Sequence, residues 1–541
     1  MARIREHALP YLLITGVWSV VLALVDHGGE FPLIDDWAYA HGVSDLLEHH
    51  RLKISDWVAM TQVAHLLLGA MWSAWFGFSL QALREMTLLI GFLGSFVLFG
   101  LTRHATASLA WRLVGTLLVT VNPIWIYLCH TFMTDIPFTV LFLALIAGCL
   151  HLLRSGKPSP LLAASVLTGS VILVLIRQTG LGLGFSLLAW LLLAGGGAYR
   201  RWVVPAVVLT LTQVATLVGY DLVMQALDAM STRYHGASAL TWILDRPWWP
   251  VRAAYYMLIQ VHHLGMFLLP LLPLVYLRFR SDPAGIGGPR SALLVAGALT
   301  LAVLSAVGGD ILMNPRHTHL MQYDTVGHVM LIDFTYERLS FSRVLYPLWV
   351  VLSLLGSANI FFGTVLLLRH ARTKSLEMGW IGFILLGYTV FIAIGQFVFD
   401  RYLMLSLPLA MAYLLRLTDG PPTPKTAVVL SAGFLVLSLA FGTIGTRDSF
   451  EWNRTRFQAL SELESAGISP HEIDGGAEYN SWKRTAPLQP LRMNGKSWWY
   501  VDGDTYAIAH QPIPGYERIA AYPFTRYFGL VQDTLYVVRR P

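Results

Sequence analysis

Charge is what this chain has least of. Asp, Glu, Lys and Arg together make up 13% of its 541 residues, roughly half the share of a soluble globular domain. That scarcity, with 55% hydrophobic residues and a mean hydropathy of +0.56, excludes an ordinary water-soluble enzyme and leaves a polytopic membrane protein. Cysteine is scarce too: Cys129 and Cys149, both in apolar context, exclude a disulfide framework and a Cys metal site. No internal repeat and no low-complexity segment is present. The formal charge of +6 fits cytoplasmic Lys and Arg between spans, not nucleic-acid binding.

What the chain has in quantity is apolar runs. A first stretch from about Ala8 to Val25 follows Arg3 and Arg5, is long for a signal-peptide core and has no small-x-small cleavage site after it, so it reads as an uncleaved span. Further spans are predicted at 86–102, 110–128, 136–153, 160–176, 179–197, 202–224, 252–277, 291–312, 343–368, 378–399, 402–416 and 426–445, about thirteen in all at roughly 20 residues per crossing. Residues 38–78 read as two helices along the membrane surface. In the first, Ala40, Val43, Leu46 and Leu47 form the apolar face and His41, Asp45, Glu48 and His49 the wet one.

Basic residues orient this layout. With Arg3 and Arg5 inside, alternate loops carry Arg103, Arg154 with Lys157, Arg200 with Arg201, Arg278 with Arg280, Arg369 with Arg372 and Lys374, then Arg416 and Lys425, as the positive-inside rule requires. The opposite, extracytoplasmic face then collects Asp35 and Asp36, Asp135, Arg177, the loops 225–250 and 313–342, Asp400 and Arg401, and the tail. Residues 1–446 are expected to form the membrane domain. Residues 447–541, richer in charge, Gly and Pro, are expected to form a small α/β domain with a helix over 455–465 and strands near 505–509, 516–522 and 534–538.

Asp35 and Asp36 are the residues on which chemistry is expected to turn. Carboxylates are costly at a membrane boundary unless they have a task; one could act as a general base on a hydroxyl while its neighbour orients it or holds a cation. The same pair would also cap the helix starting near Trp37, a ring suited to interfacial anchoring. Asp135 opens a span whose Pro137 suits a first helical turn, and would bind substrate or answer the helix dipole. Arg177 and Arg401 match phosphate oxygens bidentately, or would anchor to headgroups or pair with carboxylates. Gly180, Gly182 and Gly184 after Arg177 permit close helix packing. Arg316 and His317, with His319, make a donor-rich outer loop, while Gln62 and His65 read as structural.

Four segments together resemble the GT-C superfamily of membrane glycosyltransferases (protein O-mannosyltransferases, aminoarabinose transferases and related family 39-like enzymes). They are Ile34-Asp35-Asp36-Trp37, Phe132-Met133-Thr134-Asp135-Ile136-Pro137-Phe138, Arg177-Gln178-Thr179-Gly180 and Asp400-Arg401-Tyr402. The resemblance implies an all-α membrane fold. It also implies a sugar donor on a polyprenyl phosphate, a lipid, glycan or protein acceptor, and a base at Asp35, with Asp36 as the alternative. Asp135, Arg177, Arg401, Arg316, His317 and Trp37 would bind substrate. No motif demands a cofactor; a divalent cation held by Asp35, Asp36 and Asp135 is the one the pattern allows. The chain departs from the O-mannosyltransferases in carrying Asp-Asp for their Asp-Glu. A second reading from a different class is a transporter or flippase of a lipid-linked sugar, against which stands the near absence of charge from the middle of the spans. A third is a non-catalytic scaffold with an outer binding domain.

Overall fold

A computed structural model describes residues 2–155, 159–194, 197–236, 248–281, 297, 345–370, 376–395, 399–484 and 501–541. Helices α1 (Ala2–Leu24), α2 (Asp36–Glu48), α3 (Val63–Phe76), α4 (Leu80–Thr102), α5 (Leu109–Thr120), α6 (Pro123–Cys129), α7 (Asp135–Ser155), α8 (Pro160–Ile176), α9 (Gly182–Ala194) and α10 (Val203–Ala226) come first. Next are α11 (Thr232–Gly236), α12 (Trp249–Phe267), α13 (Leu272–Ser281), α14 (Leu345–His370), α15 (Leu376–Ile394), α16 (Leu403–Leu417), α17 (Lys425–Ser465) and α18 (Ala477–Lys483).

Among the described residues four helices are long and apolar enough to cross a bilayer, or six if two bent pairs each count as one span. The bends fall within the predicted spans 110–128, where α5 meets α6 at 58°, and 252–277, where α12 meets the segment Leu269–Ser281 at 57°. Shorter apolar helices such as Pro160–Ile176 and Met378–Ile394 accompany them. Large apolar side chains face outward along the bundle (Leu12, Leu193, Leu211, Leu222, Val429, Leu437), a surface that only a lipid environment satisfies.

Both helices expected between 38 and 78 are present. α2 does not lie on the surface with one wet face, however: Asp36 to Ala40, Gly42 and Val43 are buried, because α3, the α6–α7 connection and the tail enclose it. α3 keeps its outer face apolar, with Leu67, Met71, Trp75 and Phe76 exposed. Close approach of α2, α3 and the segment after α6 depends on Gly69, where a Cβ would stand 2.7 Å from Phe132 and 2.9 Å from Val43. Gly184 plays the same part between α9 and α10; there a Cβ would meet Gln213 Oε1 at 2.5 Å and Thr210 Cα at 3.0 Å. A Cβ at Gly182 meets nothing within 4 Å.

The helix expected over 455–465 is the last part of α17, which runs unbroken for 41 residues; the boundary expected at 446/447 falls inside it. Beyond it lies a four-stranded sheet of order β1-β2-β4-β3, formed by β1 (Ile473–Asp474), β2 (Tyr506–Ala509), β3 (Glu517–Arg526) and β4 (Val531–Arg539). β1 and β2 are parallel and the other pairs antiparallel. Alternate residues Ile508, Phe524, Leu535 and Val537 pack on Trp452, Ala459, Leu460 and Leu463 of α17. This unit also grips the first loop: Phe31 and Leu33 pack with Phe450, Arg454 donates to the Asp26 and Gly28 carbonyls, and Trp482 of α18 stacks on His41 of α2 at 4.4 Å.

Candidate active site

The chain enters α2 through Ile34, whose φ of +53° is a left-handed conformation that a β-branched residue adopts at a cost of order 1–3 kcal/mol. That turn sends the two aspartates in different directions. Asp36 turns back: its Oδ1 accepts from the Leu33 amide at 2.6 Å and its Oδ2 from the Phe132 amide at 3.4 Å, tying the first motif to the second. Its side chain is wholly enclosed, and burial pushes its pKa up to about 7, against the lowering pull of Arg84 and the two amides. Arg84 itself donates to the Phe31 and Gly29 carbonyls, so Asp36 belongs to the frame that shapes the loop.

Asp35 turns outward. It holds the N-cap position of α2, yet its side chain makes no cap hydrogen bond. Instead Oδ1 accepts from Trp57 Nε1 at 2.9 Å and Oδ2 from an Arg401 terminal nitrogen at 3.0 Å. Its side chain is 24% exposed, against none for its neighbour. Arg401 reaches it from the short 3₁₀ turn Asp400–Tyr402. Arg233, on α11, lies 3.9 Å above the Trp57 ring.

A second ion pair stands nearby. Asp135, the first residue of α7, meets an Arg177 terminal nitrogen at 2.7 Å, and Arg177 Nε donates to Thr134 Oγ1 at 2.8 Å. Arg177 occupies the break between α8 and the 3₁₀ turn Gln178–Leu181. Gln178 closes the space below by donating to the Ala59 carbonyl and accepting from the Thr61 amide. The buried Tyr39 lies within electrostatic reach of Asp35, Arg401, Arg177 and Asp135 together, and burial raises its pKa. The two ion pairs therefore form one four-charge cluster around a phenol.

Four motifs far apart in sequence, carrying Asp35, Asp135, Arg177 and Arg401, are thus brought together. Other expectations need correction. Trp37 is buried, not an interfacial anchor, and packs 6.0 Å from Trp57. His65, by contrast, is structural as expected, stacking on Phe132 at 4.2 Å. Asp35, Asp36 and Asp135 each answer a different partner, and among the described residues no three His, Cys, Asp or Glu side chains gather as a metal-holding group, so the residues present do not fit the cation the sequence allowed. Arg316 and His317 lie outside the described residues. Sequence reading passed over Trp57, Arg233, Tyr39 and Tyr388, the last within electrostatic reach of Arg177 and Asp135. The Asp-Trp step at 56–57 in a polar link between two helices was the one signal available.

No protein-family model matches the sequence, nor does any curated protein. Solved structures do. ArnT from Cupriavidus metallidurans in the apo state is 12% identical, with 99% of this chain and 98% of that chain covered and a TM-score of 0.44. The archaeal oligosaccharyltransferase AglB from Archaeoglobus fulgidus, in complex with an inhibitory peptide and a dolichol-phosphate, is 12% identical over 92% of this chain and 63% of that chain, with a TM-score of 0.48. Arabinosyltransferase EmbB from Mycobacterium smegmatis is 13% identical over 85% and 43%, with a TM-score of 0.33. The chain is similar to these structures at low sequence identity. With every TM-score here below 0.5, the functional reading stands on the geometry of the chain itself.

Proposed function

We propose that this chain is an integral-membrane glycosyltransferase. It transfers a sugar from a polyprenyl-phosphate carrier to an acceptor hydroxyl (of a lipid, glycan or protein) on the extracytoplasmic face of the cell membrane, with inversion at the anomeric carbon. The observation that carries this reading is the Asp35 carboxylate, accessible on one side, fixed by Trp57 and Arg401, with the Arg177–Asp135 pair beside it.

Each part has a task in a single displacement. The acceptor oxygen bonds to the anomeric carbon as that carbon's bond to the phosphate oxygen breaks. The hydroxyl proton passes to Asp35, and the phosphate departs with the bonding pair as a lipid-linked anion. Arg401 offers N–H donors to that anion, and Arg177 adds positive potential from below, where a partly dry site makes both count for more than in water. Asp36 holds the loop; its enclosed oxygens, already taken by two amides, leave Asp35 as the base.

The reading is tested by reconstituting the full chain with radiolabelled polyprenyl-phosphate sugar and an envelope extract. Label should enter a new covalent product, and Asp35→Asn should lower the rate by about 10²-fold or more. An Asp35→Asn protein with full activity, or label that only changes leaflet, would overturn it; the second outcome is the flippase reading.

A further inference from the structure

The turn joining β3 to β4 is built in an unusual way. Tyr527 and Phe528 both take left-handed conformations, φ +51° and +57°, before Gly529 at +89°. Two consecutive aromatic residues in that region are costly, and they are held there: the Tyr527 amide donates to both oxygens of Asp448, at 3.0 and 3.1 Å, and Arg447 lies 4.6 Å over the Phe528 ring. The result is to turn apolar side chains outward. Tyr527 is 40% exposed, Phe528 45%, Leu530 85% and Val531 42%. Four such residues in five consecutive positions differ from the scattered single exposures normal on a soluble surface.

Their height on α17 says what covers them. The helix begins at Lys425 and shows apolar side chains outward at Val429, Leu430, Val436, Leu437 and Phe441. From Lys425 to Arg447 the rise is about 33 Å at 1.5 Å per residue, close to the roughly 30 Å of a hydrocarbon core. Arg447 and Asp448 therefore stand where the apolar belt gives way to headgroups, on the end of the bundle that also carries the first loop. We propose that the β3–β4 turn is a membrane-interface foot: Tyr527, Phe528, Leu530 and Val531 enter the lipid boundary beside α17, with Arg447 at the level of the lipid phosphates. Aromatic rings and arginines are the residues suited to that layer.

The test uses the full chain in lipid nanodiscs with a nitroxide at Leu530→Cys, and a second at Glu517→Cys at the far end of β3. Cys129 and Cys149 are buried, so labelling falls on the new thiol. Collision with oxygen, enriched in lipid, and with a water-soluble nickel chelate gives the depth of each. The expected result is that the label at 530 meets the chelate several-fold less and oxygen more than the label at 517. A label at Val531→Cys repeats the measurement one residue on. Equal chelate access at 530, 531 and 517 would overturn the proposal.

Discussion

Arg401 stands 3.0 Å from Asp35 Oδ2: the cation best placed to receive a phosphate also holds the carboxylate best placed to take a proton. On the proposed reading, an arriving donor would compete for the guanidinium and relieve the carboxylate of a partner that weakens it as a base. The base would then be freed only when its reaction partner is present.

Arg401→Ala is expected to lower turnover by about 10²-fold, the scale for removing one donor to a developing anion. Its melting temperature should fall as well, because Arg401 is buried and its removal leaves a half-buried carboxylate without its cation. Steady-state transfer assays and thermal melts on the same preparation check both halves.

Trp57→Phe separates orientation from packing. The ring under Arg233 remains, but the indole N–H to Asp35 is lost, a net change of about 1 kcal/mol. Transfer should fall several-fold with little change in stability, and an unchanged rate would mean the indole does not orient the base.

Asp135 is more enclosed than Asp35, its side chain 2% exposed against 24%, so this second pair responds more strongly. Arg177→Ala leaves a buried carboxylate without its partner and should destabilise the protein by about 3–5 kcal/mol. The double variant Arg177→Gln with Asp135→Asn removes both charges and should recover much of that loss. Thermal melts in one detergent compare them.

Asp36 predicts a pH dependence. Its folded-state pKa of about 7 lies above the unfolded value of about 3.9, so the folded chain binds the extra proton between those limits. The stability it contributes is whole below about pH 4 and declines as pH rises through 7. Asp36→Asn, uncharged throughout, should flatten the fall in melting temperature between pH 5 and 8.

Periodicity and loop charge made the helical body, the two first-loop helices and three of the strands legible, because each rests on local patterns. The site was legible as residues on one face but not as pairs. Nothing local to Asp35 foretells that Arg401, 366 positions on, engages it, or that Asp36 turns inward to the Phe132 amide. The bland expectation that Asp35 caps α2 failed for the same reason: a distant cation and indole outcompete the near amides. The burial of Trp37 and α2 was hidden because the covering segments, α3, the α6–α7 connection and α18, are brought to α2 only by the tertiary fold.

The unbroken course of α17 joins the tail to an apolar helix of the bundle without an intervening linker. At about 60 Å it acts as a stiff rod, so a small tilt at its inner end becomes a displacement of the sheet several-fold larger. Because Phe450 packs on Phe31 and Leu33 of the loop that leads to Asp35, a shift of this helix would be felt in that loop by direct packing.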